Sequence, residues 1–182
     1  SPSGSTVSSR AKHLGTCIHR TLKQIANEGV PAWSSGRLQR LPQTWSAQLK
    51  ELGLLATAEE LGQMSQALGN MLADPKGIWI LQHHSQAACE QVLSYSSNIA
   101  GHGGVSIVDR TFVDEAVRWI IDYKFSAPEA GEETSDFVQR QIASYQAQLT
   151  HYAKLYSHME QLPVRCALYF PQIPLFVEVA AD

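Results

Sequence analysis

The sequence predicts an α/β fold in which one mixed β-sheet is flanked by helices, and three observations carry that prediction. Apolar residues step by three and four in the first part of the chain and again over a long segment after residue 135. Between and after these segments the pattern changes to short runs of β-branched and aromatic residues. The resulting order of helix, strands, helix, strands matches a sheet covered by helices.

The first helix is predicted from about Ser9 to Glu28, with Leu14, Ile18, Leu22 and Ile25 on one stripe. Gly29 follows, where a helix C-terminus favours a residue able to take positive φ. Pro31, Gly36 and Pro42 interrupt the next stretch, which reads as a loop to Gln43. Two short helices come after it. The second opens on Thr57-Ala58-Glu59-Glu60, a capping box, carries Leu61, Met64, Leu68 and Met71, and stops at Asp74-Pro75. Strands are predicted at Ile78–Leu81, Ala87–Tyr95, Val105–Val113 and Val117–Phe125. The acidic stretch from Pro128 to Ser135 precedes a long helix bearing Val138, Ile142, Tyr145, Leu149, Tyr152, Tyr156 and Met159. Strands at Val164–Phe170 and Leu175–Val179 finish the chain.

A length of 182 residues suits one well-packed domain. With 44% hydrophobic and 17% charged residues the composition is globular. The small, polar opening reads as a disordered leader over residues 1–9, ahead of a single domain over residues 10–182 with a helical insertion at about 30–75. A net charge of −3 gives no global basic field, yet a site that collects metal ions is itself acidic. Cys17, Cys89 and Cys166 are far apart, with no CxxC spacing for zinc or an iron–sulfur cluster, and point to a reducing, cytoplasmic setting. No apolar run approaches the ~20 residues of a membrane span.

The chemistry concentrates in one predicted hairpin. With Glu115-Ala116 at its turn, Asp114 stands opposite Val117, and stepping back along both strands puts Asp109 opposite Asp122. Lys124, two residues past Asp122, falls on the same face. Opposed carboxylates in apolar runs repel and are costly to bury. A hard divalent cation such as Mg²⁺ answers both objections, and a lysine beside it can orient water or stabilise charge on a phosphate. On these three residues alone, a solvent-facing hairpin with Asp122 and Lys124 as a surface pair fits equally well.

Other segments add context in chain order: Gly15-Thr16-Cys17-Ile18-His19, Cys89-Glu90-Gln91-Val92, Gly104 through Asp109-Arg110, Ile121-Asp122-Tyr123-Lys124, and Gln148-Leu149-Thr150-His151-Tyr152. Together they resemble the PD-(D/E)XK nuclease superfamily, in particular the RecB/AddA-type C-terminal nuclease domain of exodeoxyribonuclease V beta-like helicase-nucleases. The resemblance implies a restriction-endonuclease-like sheet flanked by helices. It implies that Asp109 and Asp122 bind the metal with His19 as a further ligand, that Lys124 is the catalytic lysine, and that Gln148, Tyr152, Glu90 and Tyr123 bind DNA or support the site. Imidazole suits Mn²⁺ better than Mg²⁺; without the family a lone helical histidine is more often a surface or satisfied core residue than a ligand, and Tyr152, on the apolar stripe of its helix, also reads as plain core. His83-His84 has no matching ligands nearby in sequence and reads as a loop feature.

The function so implied is a metal-dependent DNA nuclease, with an exonuclease in double-strand-break processing as its setting. The implied partners are DNA, a helicase motor domain and the partner subunit of a RecBCD/AddAB-like complex, without a membrane. The chain holds no G-x-x-x-x-G-K-(S/T) element, so the motor lies elsewhere. Two alternatives stand beside it: an inactive nuclease fold serving as a DNA-binding scaffold, and a stand-alone phage- or restriction-type exonuclease.

Overall fold

The computed structural model describes residues 3–96 and 103–181; residues 1 and 2 of the expected leader lie outside them. Its elements are α1 (Ser3–Glu28), a 3-10 turn (Val30–Ala32), α2 (Ser35–Gln39), α3 (Leu41–Glu51), α4 (Ala58–Ala73) and α5 (Pro75–Leu81). They continue with β1 (Ser85–Ser96), β2 (Gly103–Asp114), β3 (Val117–Tyr123), α6 (Thr134–Met159), β4 (Val164–Phe170) and β5 (Leu175–Val179). Two compact units emerge. A helical unit takes Ser1–Gln82, Lys124–Ser126 and Phe170–Leu175, and a sheet unit takes His83–Tyr123, Ala127–Tyr169 and Phe176–Asp182. No helix among the described residues is long and apolar enough to cross a membrane.

In the helical unit the predicted stripe of α1 is buried throughout: Leu14, Ile18, Leu22 and Ile25. Burying four such side chains supplies several kcal/mol, at ~1.5–3 kcal/mol each. Trp45 on α3 is fully enclosed and donates its indole N–H to Thr21 Oγ1 at 2.8 Å, so α1 and α3 share a polar tie inside an apolar core. The capping box at Thr57 and Glu60 is formed. Glu60 also accepts from Arg10 at 2.6 Å, which ties α4 to α1 and holds its carboxyl below the usual range.

Two expectations are corrected here. The stretch from Gly29 to Gln43 is not a loop, because Ser34 caps α2 by accepting from the Arg37 amide and Pro42 lies in the first turn of α3, where its missing N–H costs nothing. Ile78–Leu81 is helix rather than strand. An apolar run of four cannot be assigned by periodicity, and Asp74-Pro75 serves as N-cap and first residue of α5 as well as the stop for α4.

The sheet unit holds five strands in the order β1-β2-β3-β4-β5. β1–β2 and β2–β3 are antiparallel, and β3–β4 is parallel. A parallel neighbour needs a crossover, and α6 supplies it. Leu149, Tyr152 and Tyr156 of the predicted stripe are buried, whereas Met159 is exposed and burial in the first turns shifts to Phe137 and Gln141.

Arg118 of β3 anchors this side of the sheet. Its guanidinium, nearly fully buried, donates to Glu160 at 2.6 and 2.9 Å, to the Gln86 carbonyl at 3.1 Å and to Gln86 Oε1 at 2.8 Å. It also lies 4.8 Å from the centre of the Tyr156 ring. One side chain thereby joins β1, β3 and the end of α6.

Candidate active site

The hairpin has the register that its turn predicts. Asp114 pairs with Val117 and Arg110 with Ile121, so the next step along both strands sets Asp109 against Asp122. Glu115 and Ala116 form the two-residue turn with φ of 47° and 61°, both in the left-handed region that matches the twist of a tight hairpin. Asp109 Oδ2 accepts the backbone N–H of Tyr123 at 3.0 Å, which locks the aspartate to the end of β3. Asp122 is only 3% exposed, while Asp109 is half-buried.

The charge of this pair registers on its neighbours. The Tyr152 phenol is pushed far up by burial, then by Asp122 and Asp109. Burial also pushes the Cys166 thiol up to about 12, with Asp122 and Glu178 adding to the rise. Tyr123 is raised well above the ordinary phenol range by burial, partly opposed by Arg110. Burial leads all three shifts, and the aspartates add to them, so the carboxylates lie in a poorly solvated region. Opposed carboxylate oxygens in such a region suit a hard divalent cation, which takes one or two carboxylates and completes its shell with water and phosphate. Among the described residues no group of three or more His, Cys, Asp or Glu side chains is arranged to hold a metal ion.

Glu90 stands across from Asp109, because Cys89 pairs with Arg110 and Gln91 with Val108. Its φ of 50° breaks the alternation of the strand, and its side chain is exposed. Gly104 lets the Tyr95 ring lie close over the strand, since a Cβ there would meet the Tyr95 hydroxyl and push the ring aside. Tyr95 meets His151 of α6 edge-on, with ring centres 4.7 Å apart. Tyr152, next along α6, donates its hydroxyl to the Ile107 carbonyl at 2.9 Å. Gln148, four residues earlier, is exposed, so the two part company: one grips the protein backbone and the other faces outward.

His19 and Lys124 belong to the helical unit, both half-buried. Gly15 precedes His19 by one turn of α1, and a Cβ on it would touch Phe125 Cβ at 3.7 Å. The small residue therefore lets α1 pack closely on the segment that carries Lys124.

The sheet unit thus brings together Asp109, Asp122 and Tyr152, with Glu90 in register beside them. Sequence reasoning gave Arg118 and Arg110 no role. Arg118 shares its strand face with Ile120 and Asp122, and an arginine in an apolar strand at even spacing from an aspartate is the signal that marks it. Arg110 is buried against Phe112, 5.4 Å from that ring's centre, and donates to Cys89 Sγ at 3.4 Å.

Compared with known proteins, no curated protein matches the chain. The family model described as the PD-(D/E)XK nuclease superfamily matches residues 4–179. Members of that superfamily are typically nucleases that use divalent metals such as Mg²⁺. With nearly its whole length matched and a mixed, helix-flanked sheet of the restriction-endonuclease-like kind, this chain belongs to the PD-(D/E)XK nuclease superfamily.

Proposed function

We propose that the chain is a divalent-metal-dependent deoxyribonuclease domain of the RecB/AddA type, acting as an exonuclease within a helicase-nuclease that processes double-strand breaks. The observation that supports it most is the opposition of Asp109 and Asp122 across β2 and β3, with Asp109 Oδ2 fixed by the Tyr123 amide at 3.0 Å.

In this reading Asp109 and Asp122 would hold Mg²⁺, or Mn²⁺ in its place; His19 is the further ligand that the resemblance implies, and the described residues do not gather it into one three-residue group with the pair. When bound, the metal lowers the pKa of water and polarises the scissile phosphate. Lys124 orients the attacking water for in-line displacement and offsets charge growing on the phosphate oxygens. With one oxygen engaged by the Tyr123 amide, Asp109 presents its other oxygen in a fixed direction. Gln148 meets the DNA strand, and Glu90 and Tyr123 support the site. The ATP-driven motor and a partner subunit of a RecBCD/AddAB-like complex complete the assembly.

The test is cleavage of linear single- and double-stranded DNA with Mg²⁺, Mn²⁺ or EDTA, beside Asp122→Ala and Lys124→Ala. Metal-dependent cleavage that Asp122→Ala abolishes, and that Lys124→Ala cuts by about 10²–10³-fold, is the expected result. A wild type that binds DNA but neither cleaves it nor binds metal would leave the DNA-binding scaffold as the better account.

A further inference from the structure

The helical unit carries a second polar site, apart from every residue named for catalysis. Gln24 of α1, Trp33, Arg37 of α2, Arg40, and Leu41 and Thr44 of α3 line a cavity of about 260 Å³. Trp33 is 7% exposed, and its indole Nε1 is buried with no hydrogen-bond partner. A buried donor left unmet costs about 1–3 kcal/mol, so this residue of the cavity lining carries an indole N–H that lacks an acceptor.

The charges around it point the same way. Arg37 lies flat over the Trp33 ring, 3.7 Å from its centre, and pairs with Glu28 at 2.5 Å. Gln24 donates to the same carboxylate at 3.0 Å. Arg37 and Glu28 thus balance each other. Arg40 has no ion pair among the described residues and is the surplus charge at the cavity. The wider distribution agrees: the helical unit holds nine Lys and Arg against five Asp and Glu, and the sheet unit five against twelve. The positive excess of the chain, which favours phosphate, thus falls in the helical unit.

We propose that this cavity is a phosphate-binding site, in which an anionic oxygen accepts from the Trp33 indole N–H while Arg40 supplies the unbalanced positive charge, and that the phosphate comes from the DNA backbone. The proposal rests on DNA being the ligand of the domain, as in the function proposed above. Its role is to hold the strand, not to cut it.

The experiment uses the full 182-residue chain in EDTA, with tryptophan side chains labelled with nitrogen-15 and the Trp33 signal assigned by its loss in Trp33→Phe. A short single-stranded oligonucleotide and inorganic phosphate are titrated separately. Movement of the Trp33 indole N–H resonance with the oligonucleotide is the expected result. Arg40→Gln should weaken oligonucleotide affinity about tenfold, the size of one charge-assisted hydrogen bond, and reduce the salt slope by about one. Lys50→Gln, which neutralises a charge on α3 outside the cavity, should do neither. A Trp33 signal that stays fixed with both probes, or equal effects of Arg40→Gln and Lys50→Gln, overturns the site. A response to phosphate alone keeps the anion site and overturns its DNA source. Cleavage by the Mg²⁺-loaded wild type is scored separately: a chain that moves the Trp33 signal but does not cleave counts against the nuclease reading alone, and a chain that cleaves with an unresponsive Trp33 counts against this site alone.

Discussion

Tyr152 donates its hydroxyl to the carbonyl of Ile107 at 2.9 Å, two residues before Asp109 on the same strand. The long helix therefore steadies the stretch of β2 that presents one of the two opposed aspartates. Tyr152→Phe keeps the ring and removes only this bond. Steady-state kinetics on DNA should show kcat lowered about tenfold with KM little changed, for a stability loss of about 1 kcal/mol. A raised KM at unchanged kcat would mean that Tyr152 touches the substrate instead.

Asp122→Asn separates the metal from the fold. In metal-free protein the change removes a buried charge facing another, so the melting temperature should hold or rise. Added Mg²⁺ or Mn²⁺ should raise the melting temperature of the wild type by mass action and leave the variant unmoved. A variant that still gains stability from metal would place the ion elsewhere.

Arg118 is where the sheet unit is most exposed to damage. Arg118→Met strands Glu160 and the Gln86 amide oxygen, at a cost of about 3 kcal/mol in chemical denaturation. The partner sets a pH dependence. Arg118 holds the Glu160 carboxyl below its ordinary value of 4.5, so the pair contributes fully above that value and fades as the pH falls through the lower, folded one. Glu160→Gln should flatten the acid limb of the stability profile, and an unchanged limb would show that the pair carries no such linkage.

The hairpin turn holds two non-glycine residues at positive φ, Glu115 and Ala116. Ala116→Gly relieves the left-handed strain and should raise stability by about 1 kcal/mol, net of the entropy that glycine adds to the unfolded chain. A destabilised variant would mean that the Ala116 methyl has packing worth more than the strain.

Much of this was legible from residues alone, for identifiable reasons. The pairing of Asp109 with Asp122 followed from a two-residue turn, because strand pairing propagates from the turn without slack. α1 followed from a stripe in which every predicted position is buried. The strand predicted at Ile78–Leu81 failed because four apolar residues have no measurable period, and the information lay in Asp74 and Pro75. The partners of Arg118, though not its buried position in an apolar strand, and the Trp33 cavity were invisible for another reason. Those partners lie up to 42 residues away in sequence, and the residues around Trp33 come from separate helices. Proximity of that kind is made by folding and leaves no local pattern.

Trp33, Trp45 and Trp79 lie in the helical unit, and Trp119 alone lies in the sheet unit. The intrinsic emission of the chain is therefore weighted toward one half of it, whereas far-ultraviolet dichroism samples the strands and α6 as well. Melting curves from the two signals coincide only if both units lose their structure in one cooperative step. A gap between them would show that the half with the opposed aspartates and the half with the three indoles melt separately, and the sign of the gap would show which goes first.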